Sequence, residues 1–136
     1  MAEIFSNSWM AKFKDAWNGE AEMTRELANI KFNSTIAYGF ISEDLPRGMI
    51  QVHKGKIISA GEFDDEQIKA EELDWDLRAD PADWKKWIQH PPGMMALGMA
   101  YCSRSLKFKR GDYASMIKDP RMATPFVKSF SLMNRV

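Results

Sequence analysis

Leu73-Asp74-Trp75-Asp76-Leu77-Arg78-Ala79-Asp80-Pro81-Ala82-Asp83 is the stretch that decides the fold. Leu73, Trp75, Leu77 and Ala79 alternate with Asp74, Asp76 and Arg78, the period-two pattern of a half-buried strand. The pattern stops at Asp80, and the chemistry of a helix start follows. Asp80 stands at the N-cap, Pro81 takes the first helical position, and Asp83 lies near the positive end of the helix dipole. Trp84, Trp87 and Ile88 then fall on that helix.

Toward the C-terminus, His90-Pro91-Pro92-Gly93 ends this helix, because consecutive prolines remove backbone donors and disfavour helical φ/ψ before them. A new helix from Met94 to about Arg104 carries Met94, Met95, Leu97, Met99 and Tyr101 around its circumference. This distribution predicts a largely buried helix, with Cys102 as a small core residue. Leu106 and Phe108 alternate with Lys107 and Lys109 in another strand, closed by Gly111-Asp112. If the two strands are neighbours, outward Asp74 and Asp76 are expected to face outward Lys107 and Lys109. Asp112 starts a short helix through Met116 and Ile117, and Asp119-Pro120 starts a last one. Met122, Phe126, Phe130 and Met133 repeat at helical spacing along it, and Pro125 is expected to bend its first turns.

Toward the N-terminus, Phe5, Trp9, Phe13 and Trp17 recur every four residues within a helical stretch from Ile4 to Leu27, which Asn18-Gly19 interrupts. Asn29 to Ser42 is rich in β-branched and aromatic residues and reads as a strand. After a turn at Asp44 to Gly48, the residues Met49, Ile50 and Val52 lead through His53-Lys54-Gly55-Lys56 to Ile57 and Ile58. That is a hairpin, with Gly55 supplying positive φ.

The 136 residues are expected to form one domain, 1–136, large enough to close a hydrophobic core. Nineteen basic and nineteen acidic side chains cancel, so no long-range field draws the chain to nucleic acid or anionic membranes. Cys102 is the lone cysteine, which fits a reducing compartment. Met1 to Ser8 lacks the basic and apolar regions of a secretory signal, and no apolar run approaches the roughly 20 residues that span a bilayer. A soluble, cytoplasmic protein without stable membrane insertion is expected. Ten methionines and five tryptophans exceed what packing a domain of this size requires.

Enzyme signatures are missing: there is no glycine-rich phosphate loop, nucleophile elbow, paired cysteine motif or helical histidine pair for a metal. His53 sits in a hairpin and His90 in a breaker segment, settings typical of surface histidines. The acidic run Glu62 to Asp76 lacks the glycine and terminal glutamate of a calcium loop and reads as a solvated face. No cofactor and no metal site is expected. The methionines and aromatics of the second half admit two readings. They fill a core, or their flexible thioethers line a cavity that adapts to an apolar guest.

The succession of elements resembles the sterol-carrier-protein family, type two. The match is carried by the hairpin Val52 to Ile58 with Lys54-Gly55-Lys56, by Trp75 to Asp80 leading into Pro81 to Ile88, by Pro92-Gly93 to Tyr101, and by Leu106-Lys107-Phe108-Lys109-Arg110-Gly111-Asp112. It covers about Phe32 to Met133. The resemblance implies an α+β fold: a five-stranded mixed or antiparallel sheet covered on one face by helices, with a hydrophobic tunnel between them. It implies a non-catalytic carrier of lipids, fatty acids, acyl-CoA or sterol-like molecules. The helices after Asp80 would contribute Trp87, Met94, Met95, Met99 and Tyr101 to ligand binding. The terminal helices would contribute Met116, Phe126, Phe130 and Met133. Met133-Asn134-Arg135-Val136 differs from the peroxisomal tripeptide of many eukaryotic members.

Two further readings compete with a plain carrier. One is an accessory subunit that presents a lipid-like intermediate to a partner enzyme through an exposed patch such as Trp9, Trp17 or Trp84. The other is a small cone-shaped isomerase or dehydratase, which needs an acid or histidine beside an apolar pocket and offers none here. A simple carrier is expected to be a monomer or weak dimer.

Overall fold

The computed structural model describes residues 3–136. Met1 and Ala2, the first residues of the stretch read as lacking a secretory signal, lie outside the described residues. Six α-helices and five strands follow in the order α1 (Asn7–Asn18), α2 (Ala21–Asn29), β1 (Ser34–Phe40), β2 (Gly48–His53), β3 (Lys56–Glu62), β4 (Trp75–Ala79), α3 (Pro81–Gln89), α4 (Met94–Cys102), β5 (Lys107–Arg110), α5 (Tyr113–Lys118) and α6 (Pro120–Met133). The sheet order is β3-β2-β1-β4-β5. Its one parallel pairing, β1 with β4, joins the hairpins to the second half of the chain, and the other pairings are antiparallel. This is the expected α+β class with a mixed sheet. No helix among the described residues is long and apolar enough to cross a membrane.

The face-on alternation sorts the core. Ile36 and Tyr38 of β1, Ile50 and Val52 of β2, and Leu77 and Ala79 of β4 are buried in one cluster with the helices. Within it, Trp9, Phe13 and Trp17 line the inner face of α1 with Phe5 just ahead of the helix, and Trp84 is fully buried at the start of α3. Trp84 stands 5.2 Å from Phe5 and 5.4 Å from Trp87, and its Nε1 donates to the Gly39 carbonyl at 2.8 Å. Trp9, Trp17 and Trp84 therefore form no exposed patch, contrary to the docking surface expected of them. Each lies on the inner face of its helix, where its large ring removes the most apolar area from water.

Asparagines clamp α1 to the sheet edge. Asn7 Oδ1 accepts from the Glu62 N–H at 2.7 Å, and the Asn7 N–H donates to Glu62 Oε2 at 3.2 Å. At the other end Asn18 Nδ2 donates to the Ile57 carbonyl, and Asn18 Oδ1 accepts from the Ile57 N–H, both at 2.9 Å. The residue read only as a helix breaker thus also satisfies the backbone of β3. Gly55 holds the β2–β3 turn at φ +86°, and an added Cβ would lie 2.6 Å from the Thr24 carbonyl.

At its centre the opposite sheet face is not solvated. Asp76 and Arg78 are 2% and 1% exposed and form a bidentate pair at 2.6 and 3.0 Å. Arg78 also donates to the carbonyls of Phe40, Glu43 and Asp44, fastening the β1–β2 loop over the sheet. The expected Asp76 pairing with Lys107 or Lys109 is absent, although β4 and β5 are neighbours. Asp76 is satisfied by its own strand two residues on, and Lys109 Nζ donates to the Asp44 carbonyl instead. Asp74 remains exposed and accepts from the Thr35 N–H at 2.9 Å.

Candidate functional site: an uncharged cavity under the last two helices

Between the sheet and the terminal helices lies a small cavity. Its floor is Ile36 and Tyr38 of β1 with Trp75 and Leu77 of β4. Met116 of α5 and Met122, Pro125, Phe126 and Ser129 of α6 form the roof. Trp17, Leu27 and Phe32 close one end. No Lys, Arg, His, Asp or Glu stands on this wall. The free volume is about 40 Å³, little more than the roughly 30 Å³ share of one water molecule. A ligand site for a drug-sized molecule needs roughly 300 Å³ or more, so this space accepts an extended apolar guest only if the roof moves outward.

Two capped helices carry the roof. Asp112 caps α5 by accepting from the Ala114 N–H at 3.2 Å, and α5 is six residues long with Met116 as its buried residue. Asp119 caps α6 by accepting from the Arg121 N–H at 3.0 Å, and Pro120 follows at the first helical position. Pro125, inside α6, removes one backbone donor directly above the cavity. The two cap carboxyls are held below the usual aspartate range, Asp112 chiefly by the Ser115 hydroxyl and Asp119 chiefly by the Arg121 side chain.

The nine candidate residues fall into three groups. Met116 and Phe126 line the cavity. Trp87, Phe130 and Met133 are buried in the main core, with Phe130 stacked at 6.2 Å on Trp84. Met94, Met95, Met99 and Tyr101 are on α4, where they are 42%, 81%, 68% and 38% exposed. The largely buried helix expected from Met94 onward is thus an exposed one that buries Leu97. Its apolar residues surround the axis instead of forming a stripe, so packing one side on the fold leaves the others in water. Cys102 is exposed for the same reason and is not a core residue. The sequence reading missed the whole floor, Ile36 and Tyr38 of β1 with Trp75 and Leu77 of β4, as well as the closing end at Trp17, Leu27 and Phe32 and the roof residues Pro125 and Ser129. Alternation assigned Trp75 and Leu77 to a core face and composition made β1 a strand, but pairing of these distant strands is what brings the floor under α5 and α6.

His53 and His90 are both exposed and lie away from the cavity wall. Among the described residues, no group of three His, Cys, Asp or Glu side chains could hold a metal ion.

No protein-family model and no curated protein matches this chain. Solved structures do. A crystal structure of sterol carrier protein 2 superposes with a TM-score of 0.72 at 17% identity, over 98% of this chain and 99% of that one. The fold is that of sterol carrier protein 2. A solution structure of a conserved protein from Thermus thermophilus, suggested to be a sterol carrier protein, superposes with a TM-score of 0.63 at 16% identity. That likeness covers 98% of this chain and 92% of the other.

Proposed function

We propose that the protein is a non-catalytic carrier that holds a hydrophobic small molecule, such as a lipid, acyl chain or sterol-like compound, between its sheet and α5–α6. The observation that carries this reading is the uncharged aromatic and thioether wall of the cavity beneath α5 and α6. Apolar burial supplies the affinity, and Met116 and Met122 let the wall follow guests of different shape. The likeness in fold to sterol carrier protein 2 supports it. The whole chain is taken as one cytoplasmic domain.

Native purification followed by denaturation and mass spectrometry of the released material tests the carrier. A co-purified apolar molecule is expected from the wild type and should be lost in Phe126→Trp and Met122→Trp, which fill the cavity. Wild-type protein that is empty and takes up no fatty acid, sterol or acyl-CoA overturns the proposal.

A second reading, presentation of the cargo to a partner enzyme, is favoured by α4, whose Met94, Met95, Met99 and Tyr101 form an exposed apolar surface on an uncharged helix. A cognate enzyme should then co-elute with wild type and not with Met95→Lys/Met99→Lys.

A further inference from the structure

Two side chains on the uncharged wall carry a polar group with no hydrogen-bond partner among the described residues, the half-buried Trp75 and the buried Tyr38. The Tyr38 side chain is 3% exposed and is fixed by stacking on Phe5 at 5.7 Å and by edge contacts with Phe13 and Trp84 at 6.0 and 6.1 Å. The buried polar heads of Trp17 and Ser129 on the same wall are satisfied. Trp17 Nε1 donates to the Gly55 carbonyl at 2.9 Å, and Ser129 Oγ donates to the Phe126 carbonyl at 2.6 Å. Among the described residues the Tyr38 hydroxyl has no hydrogen-bond partner, yet every fully enclosed side-chain nitrogen or oxygen has one. Its oxygen must therefore border open space, and the space that Tyr38 lines is the cavity. Burial raises the phenol's pKa, so the hydroxyl stays protonated and can both donate and accept.

We infer that the Tyr38 hydroxyl is the polar anchor of the ligand, and that the ligand is an uncharged apolar molecule bearing a hydroxyl or carbonyl group. This inference rests on the carrier reading and narrows its ligand class. An ionised carboxylate or phosphate drawn into the cavity would lose its hydration and meet no positive side chain there. An alcohol, ester or ketone loses far less and gains a hydrogen bond to the Tyr38 hydroxyl. Water is a poor substitute, because a buried water needs about two to four polar partners. The buried residues of the wall supply only the Tyr38 hydroxyl and the remaining acceptor capacity of Ser129.

The test is a binding series with the full chain, read through the fluorescence of Trp17 and Trp75, which both line the cavity. The probes are 1-decanol, 1-chlorodecane and, at pH 8, decanoate. Decanol is expected to bind more tightly than decanoate. Tyr38→Phe should weaken decanol by up to about tenfold, the net worth of one neutral hydrogen bond. It should leave 1-chlorodecane unchanged and should not lower the thermal midpoint of the empty protein, since the hydroxyl it removes has no partner. Decanol affinity that survives Tyr38→Phe while 1-chlorodecane still binds overturns the anchor and leaves the carrier standing. Decanoate binding as tightly as decanol at pH 8 overturns the uncharged ligand class, again without touching the carrier. A lower thermal midpoint for empty Tyr38→Phe overturns the anchor, because the hydroxyl then serves the fold. If no probe binds the wild type, the carrier reading falls and the anchor falls with it.

Discussion

The aromatic half of the molecule and its methionine half use apolar residues in opposite ways. Around α1, β1 and α3, rings interlock: Phe5, Trp9, Phe13, Tyr38, Trp84 and Trp87 stand 5.2 to 6.1 Å from their ring neighbours, in edge and stacked pairs. Around α4, α5 and α6, every methionine but the buried Met133 lies over the cavity or faces outward. Aromatic rings have two torsions and fixed geometry, so their packing defines one arrangement. Methionine has three rotatable bonds and fills many shapes at similar cost. The chain therefore couples a rigid support to a roof that tolerates rearrangement, which is what a site that must expand from about 40 Å³ requires.

The largest effect should come from breaking the buried ion pair that locks the rigid half. Arg78→Met leaves Asp76 charged and unpaired at 2% exposure and removes the guanidinium donors to the Phe40, Glu43 and Asp44 carbonyls. A loss of about 3–5 kcal/mol is expected in urea unfolding, and the loop from Ile41 to Arg47 should become accessible to protease. Trp84→Ala follows, at about 3–5 kcal/mol, since it opens a hole among four rings and removes the donor to the Gly39 carbonyl. Met116→Ala in the roof should fall below both, near 2 kcal/mol, because the site already borders a void. If Met116→Ala costs as much as Trp84→Ala, the contrast between a rigid and a soft half is wrong.

Acid should separate the two halves without mutation. The Asp112 and Asp119 carboxyls cap α5 and α6, and both are held below the ordinary aspartate value of about 3.9. A carboxyl with a lowered folded pKa contributes stability that is complete above the unfolded value and is lost as pH falls through the folded one. Amide protection in α5 and α6 should therefore decline below about pH 4, while α1 and α3, which have no aspartate side-chain cap bond, keep theirs longer. Simultaneous loss in all four helices would show that the roof has no independent looseness.

How far the sequence could be read follows the same division. In the rigid half, the four-residue recurrence of Phe5, Trp9, Phe13 and Trp17 and the alternation of Trp75, Leu77 and Ala79 located the elements and their buried faces. Those periods encode a face directly. They do not say what covers the other face, and Asp76 and Arg78, polar and alternating, gave the pattern of a solvated surface while forming a buried pair. In the soft half, α4 has apolar residues on every side, so its sequence carries no facing signal, and its burial depended on whether a further layer existed. The cavity was legible only in part. Met116 and Phe126 were named through the family resemblance, but Tyr38 enters through the parallel pairing of β1 with β4, strands far apart in the chain, which no local pattern records.

The smallest effect on stability should come from the most apolar exposed positions. Met95 and Met99 are 81% and 68% exposed on α4, and replacing both with lysine removes little buried surface. Each change should stay within about 0.5 kcal/mol, and lysine keeps the helix propensity of methionine nearly unchanged. A fold would gain solubility from such a change, so two large methionines kept in water call for a reason outside folding. If the double variant unfolds like wild type and still loads ligand but no longer delivers it to an acceptor, α4 is the delivery surface and the roof is the loading site. If loading and delivery are both unchanged, α4 has no part in transfer. A loss of several kcal/mol would mean instead that α4 packs more tightly in solution than its exposure allows, and the soft half would end at α5.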